Sequence, residues 1–155
     1  MGRRRPDAGV RLRPLSEYQP TPYRPKWFAI AGLLIAAASY VVSMPLHWAG
    51  VVSPLGSYQL VSGIEQANWM IVAAVAVVAI AVRLTLQPPG GYIRFFFVFL
   101  DFFISLGLYI EYIDNVGRAA TDGFAPYLGP GFFLALAGTG VFIVSGVIAW
   151  RERYE

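Results

Sequence analysis

The sequence predicts an all-α membrane protein, a four-transmembrane-helix bundle with a small β-hairpin in the first external loop. Three observations predict it. Apolar segments at 27–44, 67–86, 92–112 and 131–150 each come close to the roughly 20 residues that cross a hydrocarbon core. Charged residues are only 14% of the 155-residue chain, against about 25% in soluble domains. The basic residues also fall on one side. With four crossings, all but Arg118 lie at or near the side of the N-terminus, while Glu65, Glu111, Asp114 and Asp122 lie on the other. This positive-inside bias predicts a multi-pass protein of the cell (inner or plasma) membrane, with both termini cytoplasmic.

Residues 1–26 hold five prolines and seven basic residues. Pro14, Pro20, Pro22 and Pro25 oppose a helix and predict an extended cytoplasmic arm. Arg3, Arg4, Arg5, Tyr18 and Tyr23 are its candidate contacts to a partner or to lipid headgroups, each basic residue contributing about 1 kcal/mol near an anionic leaflet. The arginines lie far from the first apolar run and no small-residue cleavage site follows it. An uncleaved first span is therefore expected rather than a signal peptide.

The first span places Ala29, Gly32, Ala36, Ser39 and Ser43 on one face, and Trp27 and Trp48 are expected at its two membrane interfaces. Beyond Pro45, the runs HWAGVVS and SYQLVSG flank the turn signal Pro54-Leu55-Gly56 and predict a two-stranded hairpin. Ser62 and Glu65 have the spacing of a capping box for the second span. That span is Ala/Val helix as far as Arg83. Gln87-Pro88-Pro89-Gly90-Gly91 predicts a tight cytoplasmic turn, making spans two and three an antiparallel hairpin. The third span is aromatic on every side. Residues 116–129 are expected to form the second external loop. Gly129-Pro130 opens the fourth span, whose small face is Gly131, Ala135, Gly138, Ser145 and Ala149. It is expected to meet the small face of the first span, because backbones that approach closely hold helices together in lipid. Trp150 and the cytoplasmic tail 151–155 follow.

Arg83 and Asp101 interrupt spans two and three. A charge at such depth costs on the order of 3 kcal/mol by insertion scales and is tolerated when paired or facing protein or water. Their backbones differ in depth by roughly 6–9 Å, at 1.5 Å per residue, a gap that arginine narrows by snorkelling. A structural intramembrane ion pair between Arg83 and Asp101 is the expectation. The alternatives are an ion or proton relay through Asp101, or its engagement by a partner or buried water. Arg94, seven residues away on the same helix, is a more distant cation for Asp101.

His47 reads as a solvated loop histidine. Neutral imidazole can ligate heme or chlorophyll, but one ligand without an attachment motif does not predict it. Glu111, Asp114 and Asp122 form an acidic external rim with Tyr109, Tyr112 and Tyr127. Solvated loop chemistry is the plain reading, with a weak divalent-cation site or partner docking as alternatives. No cofactor or metal is predicted; bound lipid is compatible with the composition. The chain has no cysteine and one histidine, which removes disulfides, thiolate chemistry and multi-histidine metal sites. No nucleophile–base–acid set or phosphate loop occurs, so an enzyme is not expected. The net charge of +3 reads as membrane topology, and nucleic acid is not an expected partner.

The exit from the first span at MPLHWAG, the β-prone loop ending LVSG, and a fourth span opening LGPGFFLALAG resemble small bacterial four-span proteins of claudin-like topology. The resemblance covers residues 27–150. It implies a fold and a topology and little chemistry; claudins carry a disulfide in the first external loop and this chain has no cysteine, so the resemblance does not imply a junction-forming role. The functional expectation is a non-catalytic accessory subunit of a larger respiratory, photosynthetic or transport-related complex, with other membrane subunits and the bilayer as partners. A small transporter or channel using Arg83 and Asp101 is the first alternative, and a membrane sensor with a ligand-binding external hairpin the second.

Overall fold

A computed structural model describes residues 24–56 and 58–151. Along them run α1 (Trp27–Ser43), β1 (His47–Val52), β2 (Tyr58–Ser62), α2 (Gly63–Gln66), α3 (Trp69–Leu86), α4 (Gly91–Asp122), β3 (Ala125–Leu128) and α5 (Pro130–Arg151). Three helices, α3, α4 and α5, are long and apolar enough to cross a membrane; α1 is apolar but only 17 residues long.

The centre of the bundle is the antiparallel pair α1–α5. Side chains are small where these helices meet, so their backbones come close. A Cβ on Gly32 would collide with Ser145, and one on Gly138 would lie 2.9 Å from Ser39 Cβ and 3.4 Å from the Ala36 carbonyl oxygen. Ala36 and Ala135 are fully buried. At one end Lys26 Nζ donates to the Ala149 carbonyl at 3.3 Å. The start of α1 and the end of α5 therefore lie together. A second polar link, between side chains, crosses this interface at mid-helix. Tyr40 donates its hydroxyl to Thr139 Oγ1 at 3.2 Å, and Thr139 donates to the Ala135 carbonyl at 3.0 Å. Both residues are buried, where an unpartnered hydroxyl would be costly.

α3 also packs on α1, burying Ala73, Ala74, Val77 and Ala81. α4 is the peripheral helix. It docks through aromatic rings that fill glycine notches. The Phe97 ring occupies the space beside Gly146, stacked on Phe142 at 4.1 Å and 7° and edge-on to Trp150 at 5.3 Å. The indole of Trp69 on α3 occupies the corresponding space beside Gly107 of α4.

α4 differs from the segment expected at 92–112. It continues to Asp122, taking in much of the stretch 116–129 read as a loop. Three local features carry it on. Gly117 has nothing within 4 Å, so its cost is the ordinary ~1 kcal/mol propensity penalty of glycine. Asp114 and Arg118 form an i,i+4 ion pair. Asn115, buried, donates Nδ2 to the Tyr127 carbonyl at 3.1 Å. The helix stops at Gly123, whose φ of 68° needs a residue without a Cβ, and Phe124 N closes the end on the Ala119 carbonyl at 2.8 Å. At 32 residues, α4 is roughly 48 Å long, longer than the ~30 Å hydrocarbon core.

The expected hairpin is present and larger than expected. β1 and β2 pair antiparallel around a turn closed by Gly56 N to the Ser53 carbonyl at 2.9 Å, with Gly56 at φ 80°. β3, from the segment read as loop, pairs antiparallel with the other side of β1, giving the order β2-β1-β3. Its Pro126 sits on an edge strand, where a missing N–H is tolerated. Glu65 accepts hydrogen bonds from both Ser62 N and Ser62 Oγ at 3.1 Å. It caps the single-turn α2, and the long apolar helix begins afterwards at Trp69.

Trp48 corrects an expectation. The sequence suggests an interfacial belt residue, but the side chain is 1% exposed. Its Nε1 donates to the Ser43 carbonyl at 2.8 Å, and its ring lies against Gly63 and Gly131 and edge-on to Phe132 at 6.1 Å. The cause is local. Ser43 ends α1, and its carbonyl, which also accepts from Leu46 N at 3.2 Å, takes the indole N–H inside the bundle. Trp27, at 66% exposure, remains on the surface.

Candidate functional site

Three charged side chains inside the long apolar helices, Arg83, Arg94 and Asp101, lie on the α3–α4 hairpin. On α4, Arg94, Phe97, Asp101, Ile104 and Leu108 recur at steps of three and four, which places them on one face. Phe97, Ile104 and Leu108 on that face are buried. Arg94 and Asp101 are half-buried members of the same stripe. On α3, Arg83 is half-buried beside Leu84 and three residues beyond Ile80, both buried. Arg83 Nη1, Arg94 Nε and Asp101 Oδ1 are closed off from solvent and have no hydrogen-bond partner.

The direct Arg83–Asp101 pair expected from the sequence is not made: among the described residues no ion pair joins the two. The reason is packing. α4 is fixed by Phe97 against Gly146 of α5 and touches α3 sparingly, so the hairpin does not press the two side chains together. The ion pair on α4 is instead Arg118–Asp114, both substantially exposed, a geometry that contributes only about 0.3–0.5 kcal/mol.

The other sequence candidates sit apart from this seam. Gly32, Ala36, Ser39, Gly131, Ala135 and Gly138 line the α1–α5 contact and the Trp48 plug. His47 is exposed, and its carbonyl faces Gly129. Glu111 and Asp114 line a hollow of about 340 Å³ with Glu65 and Arg118. The helix carrying Asp122 ends there, and its side chain is outside the described residues. Arg3, Arg4, Arg5, Tyr18 and Tyr23, like residues 152–155, also lie outside them.

Sequence reasoning missed Tyr40, Thr139 and Asn115. Tyr40 and Thr139 carry a usable signal, since each is a hydroxyl within an otherwise apolar run. Asn115 carries none, because its acceptor, the Tyr127 carbonyl, belongs to a strand twelve residues away.

An open apolar groove of about 470 Å³ runs between α1 and α3, floored by Ala37, Ala38 and Ala74 and walled by Leu34, Val41 and Val78. A second, of about 250 Å³, lies between α4 and α5 and includes Ser105 and Thr139. No protein-family model matches the chain, and neither does any curated protein or solved structure.

Proposed function

We propose that the chain crosses a bacterial inner membrane four times, with both termini in the cytoplasm, and serves as a non-catalytic accessory subunit of a larger integral membrane complex. The outward face of α4 carries this reading. Phe95, Phe99 and Phe102 are 76, 57 and 64% exposed on a helix that buries little of itself within the chain. In lipid, apolar burial alone does not choose between neighbours, so association follows shape. A ridge of rigid rings and the alanine-floored groove between α1 and α3 supply shape for neighbouring helices. The complex is respiratory, photosynthetic or transport-related.

The test is mild-detergent extraction followed by native mass spectrometry. Companions at fixed stoichiometry are expected, and a clean monomer would end the proposal. Topology has its own test, made simple by a chain without cysteine. Leu55 in the hairpin turn and Tyr92 at the start of α4 are 96 and 95% exposed. In intact cells an impermeant thiol reagent should label Leu55→Cys and spare Tyr92→Cys; the reverse would invert the assignment.

A second reading, a small transporter or channel, draws on the unpartnered Arg83 and Asp101 atoms in the seam. It requires Asp101→Asn to abolish flux in a protein that still folds, and unchanged flux would dismiss it.

A further inference from the structure

We infer that the free edge of β2 takes up an extended strand of a partner protein, one whose side chains alternate between basic and apolar. β2 (Tyr58–Ser62) pairs with β1 on one side, and among the described residues no strand pairs with its other side. In an antiparallel sheet every second residue of such a strand turns its N–H and C=O outward. Folded proteins blunt an edge of this kind with proline, charge or a covering element. β3, at the opposite edge, shows two of these devices. It contains Pro126, and Asn115 of α4 donates to its Tyr127 carbonyl at 3.1 Å. β2 has no proline and no charged residue, and its Gln59 and Leu60 are exposed. The edge left open is therefore the one on β2.

The hollow beside this edge selects the side chains. Gln59 and Val61 pair with Val51 and Ala49 of β1 and share a face of the sheet with them. These four residues line a cleft of about 110 Å³ together with Asn115 and Arg118, so this face looks onto the last turns of α4. Beyond Val61, the walls of the 340 Å³ hollow come from Glu65 and from Ile110, Glu111, Asp114 and Arg118 of α4, with no residue of β1 or β3. It therefore opens on the β2 side, where an added strand would lie. Three carboxylates and one guanidinium leave it with negative charge in excess. Every second side chain of the incoming strand points toward the hollow, and lysine or arginine there meets charge of opposite sign. The intervening side chains fall on the other face beside exposed Leu60, where apolar residues extend its surface. A second copy of the chain fits less well. Two β2 strands paired antiparallel about a two-fold axis keep the same faces together, so two acidic hollows would adjoin and repel. The inference goes beyond the accessory-subunit reading and does not rest on it. Backbone hydrogen bonds supply the affinity, and the hollow supplies the choice of sequence.

The probe is a short peptide of alternating lysine and valine, titrated by fluorescence anisotropy into the full chain in mild detergent. It should bind, and hydrogen exchange should slow across Tyr58–Ser62 and not across Ala125–Leu128. The same peptide with glutamate for lysine should bind about tenfold more weakly or not at all. Two further versions carry N-methyl groups on all the valines or on all the lysines. A strand added to one edge uses the N–H groups of alternate residues only. One methylated version should thus lose about tenfold or more in affinity while the other keeps it. Glu111→Gln should weaken the lysine peptide by about two- to fivefold, the range of a partly exposed ion pair. Equal binding of the glutamate peptide would overturn the inference. So would two methylated versions that behave alike, protection on β3 instead of β2, or an unchanged affinity in Glu111→Gln. A chain that self-associates with β2 already protected before peptide is added would also overturn it, giving the edge to a second copy. If Glu111→Gln does not fold, the glutamate peptide makes the charge comparison on the wild-type chain.

Discussion

Replacing Gly146 by alanine is the sharpest probe of how α4 is held. A methyl group there would overlap the Phe97 ring. The ring has nowhere simple to go, being stacked on Phe142 at 4.1 Å and braced by Trp150 at 5.3 Å. Overpacking of this kind costs about 1–3 kcal/mol, and displacing the ring also weakens two aromatic contacts of about 0.5–1.5 kcal/mol each. Alanine returns up to about 1 kcal/mol in helix propensity. The net expectation is a loss of about 1–3 kcal/mol. Gly140, on the same helix, has nothing within 4 Å of its would-be Cβ. Gly140→Ala makes the same chemical change without the collision and should be neutral or stabilising. For a chain of this size, 1 kcal/mol moves Tm by about 2–4 °C. Thermal unfolding in mild detergent should thus separate the two variants by about 2–16 °C. Phe97→Leu, harmful alone, should recover part of the loss in the Gly146→Ala background. Equal Tm values for the two alanine variants, or no recovery, would refute the notch as the anchor of α4.

Three further outcomes are expected. Trp48→Phe keeps most of the buried volume but removes the indole N–H from a Ser43 carbonyl that still accepts from Leu46 N, so it should cost about 0.5–1.5 kcal/mol in thermal or denaturant unfolding. Gly123→Ala forces a side chain onto a φ of 68° at about 1–2 kcal/mol, and hydrogen exchange should quicken selectively in the last turn of α4. A double-mutant cycle of Tyr40→Phe and Thr139→Val should show a coupling of about 0.6 kcal/mol, the average for hydrogen bonds between membrane helices, and no more than about 1.7. Zero coupling would mean that the 3.2 Å contact contributes nothing to stability.

Much of the fold was legible because its signals are local. Apolar runs broken by Pro45, the Gln87–Gly91 turn and Gly129-Pro130 mark the helices. Alternating β-prone residues around Pro54-Leu55-Gly56 mark the hairpin, and the Ser62–Glu65 spacing marks a cap. What escaped depends on partners distant in sequence. The third strand exists because Ala125–Leu128 finds the free edge of β1. The extension of α4 depends on Asn115 meeting the carbonyl of Tyr127. Trp48 looked interfacial because tryptophan so often is, and only the folded chain brings Gly63 and Gly131 against its ring. The charged seam was legible as residues and not as contacts. Spacing located Arg83 and Asp101 on adjoining helices, but the rotation of α4 is set by Phe97 and Gly146, a constraint that depth arithmetic does not contain.

That rotation has a consequence for the charges. Were α4 turned to bring Asp101 onto Arg83, Phe97 would leave its place between Gly146, Phe142 and Trp150. Two aromatic contacts and a filled notch would be exchanged for one ion pair, and even a buried ion pair returns little once desolvation is subtracted. The packing of one ring thus outweighs the pairing of two charges, and the polar atoms of Arg83, Arg94 and Asp101 are left to find other partners. In an apolar surrounding such groups do not stay unmet without cost. The side of α4 that the aromatic contacts fix is therefore the side on which a water or a neighbouring subunit must be sought. Chemistry at this seam is a by-product of how the helix docks, so Gly146→Ala, by displacing the Phe97 ring, should also move Asp101 relative to its neighbours.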